Sequence, residues 1–171
     1  TARGGSWVLT KREFLWEPHT QVTSVDFNKK SKLLVVGFDK GVFSLYEMPS
    51  CANLHKLSVS NQSINTVCVN TTGEWLALGS SRLGQLVVWE WKSESYIMKQ
   101  QGHIYGLNSV DYSADGHYMA TGGEDSKIKL WNTSSGFCFV TFTAHTAPVT
   151  SVKFFGQGVG KGILSCSLDG T

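Results

Sequence analysis

Residues 102–132 read GHIYGLNSVDYSADGHYMATGGEDSKIKLWN. Apolar and polar side chains alternate in this stretch, and clusters of Ser, Asp and Gly cut it at 113–116 and 123–126. Alternation over five or six residues between turn residues is the pattern of short antiparallel strands. We expect strands near 107–112, 117–122 and 127–132, with a fourth near 137–142.

The same pattern lies on both sides of this stretch. Val25, Val67, Val110 and Val152 recur at intervals of 42, 43 and 42 residues, each inside an alternating run. Gly73 and Gly116 sit 43 apart in matching turns, and Tyr46, Trp89 and Trp131 follow at 43 and 42. Independent markers with one shared period define a repeat architecture. In the second unit the corresponding strands fall near 64–69, 74–79, 85–91 and 95–100. Helical periodicity is nowhere sustained beyond one or two turns. Residues 7–16 before the first unit fit no repeat and read as a strand, a short helix or an ordered lead-in.

Composition agrees with a packed β protein. Of 171 residues, 12% are aromatic and only 16% charged, with 18 Gly against 3 Pro. That excludes a disordered chain, which would be poor in aromatics, and disfavours a coiled coil. The formal charge of +2 is too small to indicate a nucleic-acid or membrane surface by itself. The longest apolar run is about six residues, far short of the roughly 20 needed to cross a bilayer as a helix, so no membrane association is expected. Residues 1–5 show neither an initiator Met nor a signal pattern, and we expect the sequence to start inside a longer protein. Cys51, Cys68, Cys138 and Cys166 form no CxxC pair. Free, packed thiols in a reducing compartment are expected, in preference to a disulfide framework or zinc site.

A four-stranded unit with a period near 42 is the signature of a β-propeller blade, and the 102–132 stretch resembles the WD-repeat consensus, with Trp131-Asn132 in place of Trp-Asp. The expected fold is therefore all-β: a partial WD-repeat propeller of about three and a half four-stranded blades of a larger ring. After a lead-in at 1–20, the partial propeller covers 21–171, with blades at about 21–60, 61–102, 103–144 and a truncated one at 145–171. A sheet ending there would expose an unpaired edge.

In WD repeats a His, a hydroxyl residue, an Asp and the Trp form a hydrogen-bonded string. The resemblance carries these roles to His103, Thr121, Asp125 and Trp131. The physical reason is satisfaction of buried polar groups: Asp accepts from the imidazole, whose other nitrogen meets the hydroxyl, which meets the indole. A Ser/His/Asp catalytic set has the same composition. The architectural reading is preferred because the members recur with the repeat. The fourth unit offers His145, Ser165 and Asp169. The first has His19 and Asp39, with Tyr46 for Trp and Val35-Val36 for the hydroxyl. The second has Ser60-Asn61 and Ser81-Arg82 in place of His and Asp.

Other candidates are weaker. Glu13 and Glu17 read as a solvated face. Lys29, Lys30 and Lys32 look like a phosphate-contact cluster but fall in a strand–strand turn. The loop 156–161 does not match GxxxxGK[ST] and has no helix behind it. His55 and His117 read as exposed. Trp91 and Tyr96 read as packing residues in preference to interface anchors. No channel-facing acid, His or metal cluster is seen to recur, so no enzyme activity, catalytic residue, metal or cofactor is expected.

Longer strings are more selective. GQLVVWEW (84–91), SESYIMKQQGH (93–103) and SGFCFVTFTAH (135–145), with GVFSLYEMP (41–49) and GEWLALGS (73–80), resemble the periodic tryptophan protein 2 family. The resemblance runs from about Val22 to the end. It implies a non-catalytic scaffold of the nucleolar small-subunit processome, acting in pre-ribosomal RNA processing and small ribosomal subunit assembly. The implied partners are other WD-repeat processome subunits and a small nucleolar ribonucleoprotein; direct RNA contact is neither implied nor excluded. The alternative is a generic WD-repeat adaptor, such as a ubiquitin-ligase substrate receptor.

Overall fold

The computed structural model describes residues 8, 9, 11–15, 18–80, 82–156 and 161–171. Fourteen strands follow one another among them. The first sheet holds β1 (Val22–Asn28), β2 (Leu33–Phe38), β3 (Val42–Glu47) and β4 (Ala52–Ser58). The second holds β5 (Ile64–Val69), β6 (Trp75–Ser80), β7 (Gln85–Glu90) and β8 (Ser95–Gln101). The third holds β9 (Leu107–Tyr112), β10 (Tyr118–Gly123), β11 (Ile128–Asn132) and β12 (Cys138–Phe142). β13 (Val149–Phe155) and β14 (Gly162–Ser167) form a two-stranded fourth sheet. Every sheet is an antiparallel meander in sequence order.

Short loops make the meander. Gly73 and Gly116 close equivalent turns with φ of 82° and 74°, a region that costs glycine little. Gly73 is also a point of close approach, since a Cβ there would lie 2.5 Å from Ser31 Cβ in the neighbouring turn. Irregularities repeat too. The first strand of each sheet breaks register after its opening pair, at Val22/Ser24, Ile64/Thr66, Leu107/Ser109 and Val149/Ser151. A bulge thus recurs at the same place in each first strand.

No sheet buries both faces by itself. β1, β5, β9 and β13 pack on one another in succession, so the sheets stand side by side with their first strands innermost. Leu33, Val35, Phe43 and Leu45 meet Val67, Val69, Leu76 and Leu78 between the first two sheets. Leu86, Val88 and Met98 meet Val110, Tyr112 and Met119 between the next two. Ala120 and Ile128 meet Val149 and Val152 at the last junction. Removing one of the fully buried leucines costs about 2–5 kcal/mol as Leu→Ala.

Side chain–backbone bonds fasten the junctions. The Val69 N–H donates to Asp26 Oδ2 at 2.8 Å, and two sheets further on the Phe154 N–H donates to Asp111 Oδ2 at 2.8 Å, each bond spanning 43 residues. At the junction between them Cys68 occupies the aspartate position, and the Tyr112 N–H meets its sulfur. One register along, the Val110 N–H donates to Thr66 Oγ1 and the Val152 N–H to Ser109 Oγ.

In the lead-in, residues 8, 9 and 11–15 form no strand or helix, and Leu15 packs on Val36, Phe38 and Tyr46. Trp7 and Trp16 lie outside the described residues. Among the described residues no helix is long and apolar enough to cross a membrane.

Candidate functional site

The third sheet brings His103, Thr121, Asp125 and Trp131 together. His103 precedes β9, Thr121 sits in β10, Asp125 in the β10–β11 turn and Trp131 in β11. His103 Nδ1 lies 2.8 Å from Asp125 Oδ1, and Nε2 lies 2.8 Å from Thr121 Oγ1. Trp131 Nε1 donates to Thr121 Oγ1 at 2.9 Å. Asp125 also accepts from the Ile104 and Lys127 N–H groups. Proton accounting fixes the roles. An ionised Asp125 carboxylate can only accept, so Nδ1–H donates to it; Nε2 of a neutral ring then accepts from the Thr121 O–H, whose oxygen accepts the indole N–H.

Electrostatics agree with this tautomer. Burial pushes the His103 pKa below its ordinary value, and this outweighs the opposing pull of Asp125. Burial alone would raise the Asp125 pKa, but bonds from His103, Ile104 and Lys127 hold it below the usual carboxylate value. A neutral imidazole thus bridges an ionised carboxylate and a neutral hydroxyl. Thr121 is wholly buried, and its oxygen is engaged both as donor and as acceptor. A nucleophile needs a path for substrate. Thr121, wholly buried, has none.

The fourth sheet repeats three members. His145 Nδ1 lies 3.0 Å from Asp169 Oδ2, and Nε2 lies 2.8 Å from Ser165 Oγ. Bonds from Thr171, Thr146 and His145 depress the Asp169 pKa. In the second sheet Leu78 takes the hydroxyl's register, and the buried Trp89 Nε1 has no acceptor. In the first sheet Val36 takes that register, and Asp39 Oδ1 accepts from the Gln21 N–H. Ser81 lies outside the described residues.

Several expectations need correction. Acids do recur on the innermost strands. Asp26, Cys68, Asp111 and Lys153 share one register and line a polar cavity of about 470 Å³ with Lys29, Lys30, Asn28 and Thr71. Sequence reading passed over them because an Asp in an alternating strand looks like an ordinary solvent-facing residue. The signal was available in the 42–43-residue spacing of Asp26, Cys68, Asp111 and Lys153. Lys153 Nζ lies 2.7 Å from Asp111 Oδ1. Burial lowers the lysine's pKa, but the aspartate more than offsets that and the net shift is upward.

His55 is not exposed. It stacks on Trp89 at 6.2 Å between centroids and faces Glu94 Oε1 at 3.6 Å. His117 is exposed. The thiols are free, but only Cys68 is buried; Cys138 and Cys166 are exposed. Burial pushes the Cys68 thiol pKa far above its ordinary value and leaves it inert as a nucleophile.

Remaining candidates fall into surface roles. Trp91 Nε1 donates to the Gly73 carbonyl at 2.8 Å, and Tyr96 packs edge-on against Trp89 while staying about half exposed. Asn28 Oδ1 accepts from the Lys30 and Ser31 N–H groups and so shapes the lysine turn. Glu13 pairs with Lys11 at 2.6 Å on the surface, and Glu17 lies outside the described residues. Of the 156–161 loop, 157–160 also lie outside them, and Lys161 pairs with Asp115. No group of three metal-ligating side chains occurs among the described residues.

Comparison with known proteins supplies the family. The WD domain, G-beta repeat matches residues 11–45, 94–132 and 136–171. A periodic tryptophan protein 2 homolog of Dictyostelium discoideum is 56% identical over 88% of this chain, which spans 16% of that protein. The pre-rRNA-processing protein IPI3 of Meyerozyma guilliermondii is 29% identical over 66% of the chain, which spans 28% of it. Among solved structures, the RRP9 WD40 repeats superpose with a TM-score of 0.74 at 16% identity, over 81% of this chain and 43% of that one. The likeness in structure shows the fold. With the repeat match and the sequence identity, the chain belongs to the periodic tryptophan protein 2 family of WD-repeat proteins.

Proposed function

We propose that residues 21–171 act as a non-catalytic scaffold, divided into blades at about 21–60, 61–102, 103–144 and 145–171, within a subunit of the small-subunit processome. The protein containing them would work in the nucleolus, in pre-ribosomal RNA processing and small ribosomal subunit assembly. Its partners would be other WD-repeat subunits and a small nucleolar ribonucleoprotein. The observation that carries the reading is the His103–Thr121–Asp125–Trp131 string: it has the composition of a hydrolytic set, yet its hydroxyl is wholly buried and tied to both the imidazole and the indole. Such a string holds loops in place, and rigidly held loops suit multivalent docking. The name of the pre-rRNA-processing relative supports the pathway.

Depletion of the full-length protein, read out as small-subunit ribosomal RNA precursors, tests this. Precursors should accumulate, and affinity purification should recover processome subunits. Normal maturation would overturn the reading. Recovery of ubiquitin-ligase subunits without pre-ribosomal proteins would instead favour an adaptor role.

A further inference from the structure

The loop between β8 and β9 departs from the repeat. Six and five residues before Val25, Val67 and Val152 stand His19-Thr20, Asn61-Gln62 and Thr146-Ala147, all polar or small. Before Val110 the same places hold Ile104 and Tyr105, which are 67% and 60% exposed. Leu83, 43% exposed, stands in the neighbouring β6–β7 turn. The loop is firmly held. The His103 N–H donates to the Gly84 carbonyl at 3.0 Å, and Gly84 lies so close to the His103 and Tyr105 carbonyls that no Cβ fits there. On the other side the Ile104 N–H donates to Asp125 Oδ2, and the Glu124 N–H to the Gly106 carbonyl. These bonds use the loop's backbone, so holding it requires neither an Ile nor a Tyr.

Positive charge flanks this apolar knob. Arg82 stands in the β6–β7 turn and Lys127 in the β10–β11 turn, and among the described residues no carboxylate pairs with either. Glu124 is turned back to the Gly106 N–H at 3.3 Å, and Asp125 is taken by His103. Exposed Arg and Tyr beside aliphatic side chains are the residue types that anchor protein interfaces. A single-stranded nucleic acid needs successive aromatic rings along a cationic groove, and Ile104 and Leu83 offer no ring face. A further sheet of this polypeptide does not cover the loop either. The sheets stand side by side, so another would extend the row beyond the first or the fourth, away from the strand ends where 82–84 and 104–106 meet.

We propose that Arg82, Leu83, Ile104, Tyr105 and Lys127 form a docking site for an extended segment of a partner protein in which an apolar side chain stands beside Asp or Glu. The apolar side chain covers Ile104 and Tyr105, and the carboxylate pairs with Arg82 or Lys127. Because the loop is already fixed by its backbone bonds, binding spends little on ordering it. The proposal rests on the reading of the protein as a docking scaffold, and adds where on this chain a partner is held and by what chemistry.

Full-length protein with the photo-reactive benzoylphenylalanine in place of Tyr105, irradiated in cells and read by mass spectrometry, tests this. The link should join position 105 to a partner segment with an apolar residue within two positions of Asp or Glu. A synthetic peptide of that segment should bind the full-length protein in fluorescence anisotropy. Ile104→Asn with Tyr105→Gln, which installs the pair found at 61–62, should weaken that binding at least about tenfold without moving the melting temperature. Arg82→Glu with Lys127→Glu should weaken it similarly, and exchanging the peptide's acid for Lys should restore it. Links to RNA, to the same polypeptide or to a second copy would overturn the proposal. So would the absence of any link, a linked segment without an acid, binding indifferent to either pair of changes, or a charge exchange that fails to rescue. Depletion reads a separate question. Normal ribosomal RNA maturation with the contact intact would remove the processome reading alone, and accumulating precursors without the contact would remove this site alone.

Discussion

Trp131 and Trp89 occupy the same register in the third strands of consecutive sheets, paired with Met119 and Leu76, yet only Trp131 finds an acceptor for its indole N–H. Thr121 supplies that acceptor in the third sheet, and Leu78 replaces it in the second. Replacing either Trp by Phe removes similar volume, but Trp131→Phe also strips a bonded donor from a buried hydroxyl, whereas Trp89→Phe removes an orphan. Trp131→Phe should be the costlier change by about 1 kcal/mol or more. Thermal melts of the two full-length variants check this, and equal losses would contradict it.

Asp125 accepts from the His103 imidazole and two backbone N–H groups. Asp125→Ala leaves these donors unpaired beside a buried ring, and should destabilise the protein by about 1–3 kcal/mol. An unchanged melting curve would count against the string.

Acid should loosen the third sheet. The folded-state pKa of His103 is depressed by burial, so the unfolded chain binds more protons once the pH falls below the ordinary histidine value near 6.5. The stabilisation is complete above that value and is lost as pH falls through the lower folded-state pKa. Asp125 adds nothing in this window, since its own value lies below the usual carboxylate range. Melting temperature should therefore decline between pH 7 and pH 5, and the decline should shrink in His103→Gln. An identical slope in both proteins would refute the neutral-imidazole assignment.

The junction turns make a steric prediction. Gly73 combines φ of 82° with a neighbouring Ser31 at sub-contact distance from any Cβ, so Gly73→Ala is strained in backbone and in packing. Gly116, with φ of 74°, has only the flexible end of Thr71 nearby, at 3.1 Å. Gly73→Ala should destabilise more than Gly116→Ala, as measured by hydrogen exchange of β5 and β6 against β9 and β10.

Much of the architecture was legible in the sequence because strand alternation and a 42-residue period are local, repeated signals. The runs at 107–112 and 64–69 coincide with β9 and β5 to the residue. The polar string was legible as a resemblance, since His103, Thr121, Asp125 and Trp131 match a spaced motif. What escaped depends on contacts between sheets. Asp26 and Asp111 look like ordinary polar positions until the next sheet brings the Val69 and Phe154 N–H groups to them. His55 looks exposed on an outer strand until Trp89 of the following sheet packs over it.

The central claim is that the buried polar string serves architecture and not turnover. The most direct test measures small-subunit ribosomal RNA precursors in cells whose only full-length copy carries Asp125→Ala, with expression adjusted so that folded protein matches the wild-type level. The account predicts normal precursor processing at matched abundance, with any defect tracking loss of folded protein. A processing block at wild-type levels of folded protein would contradict it.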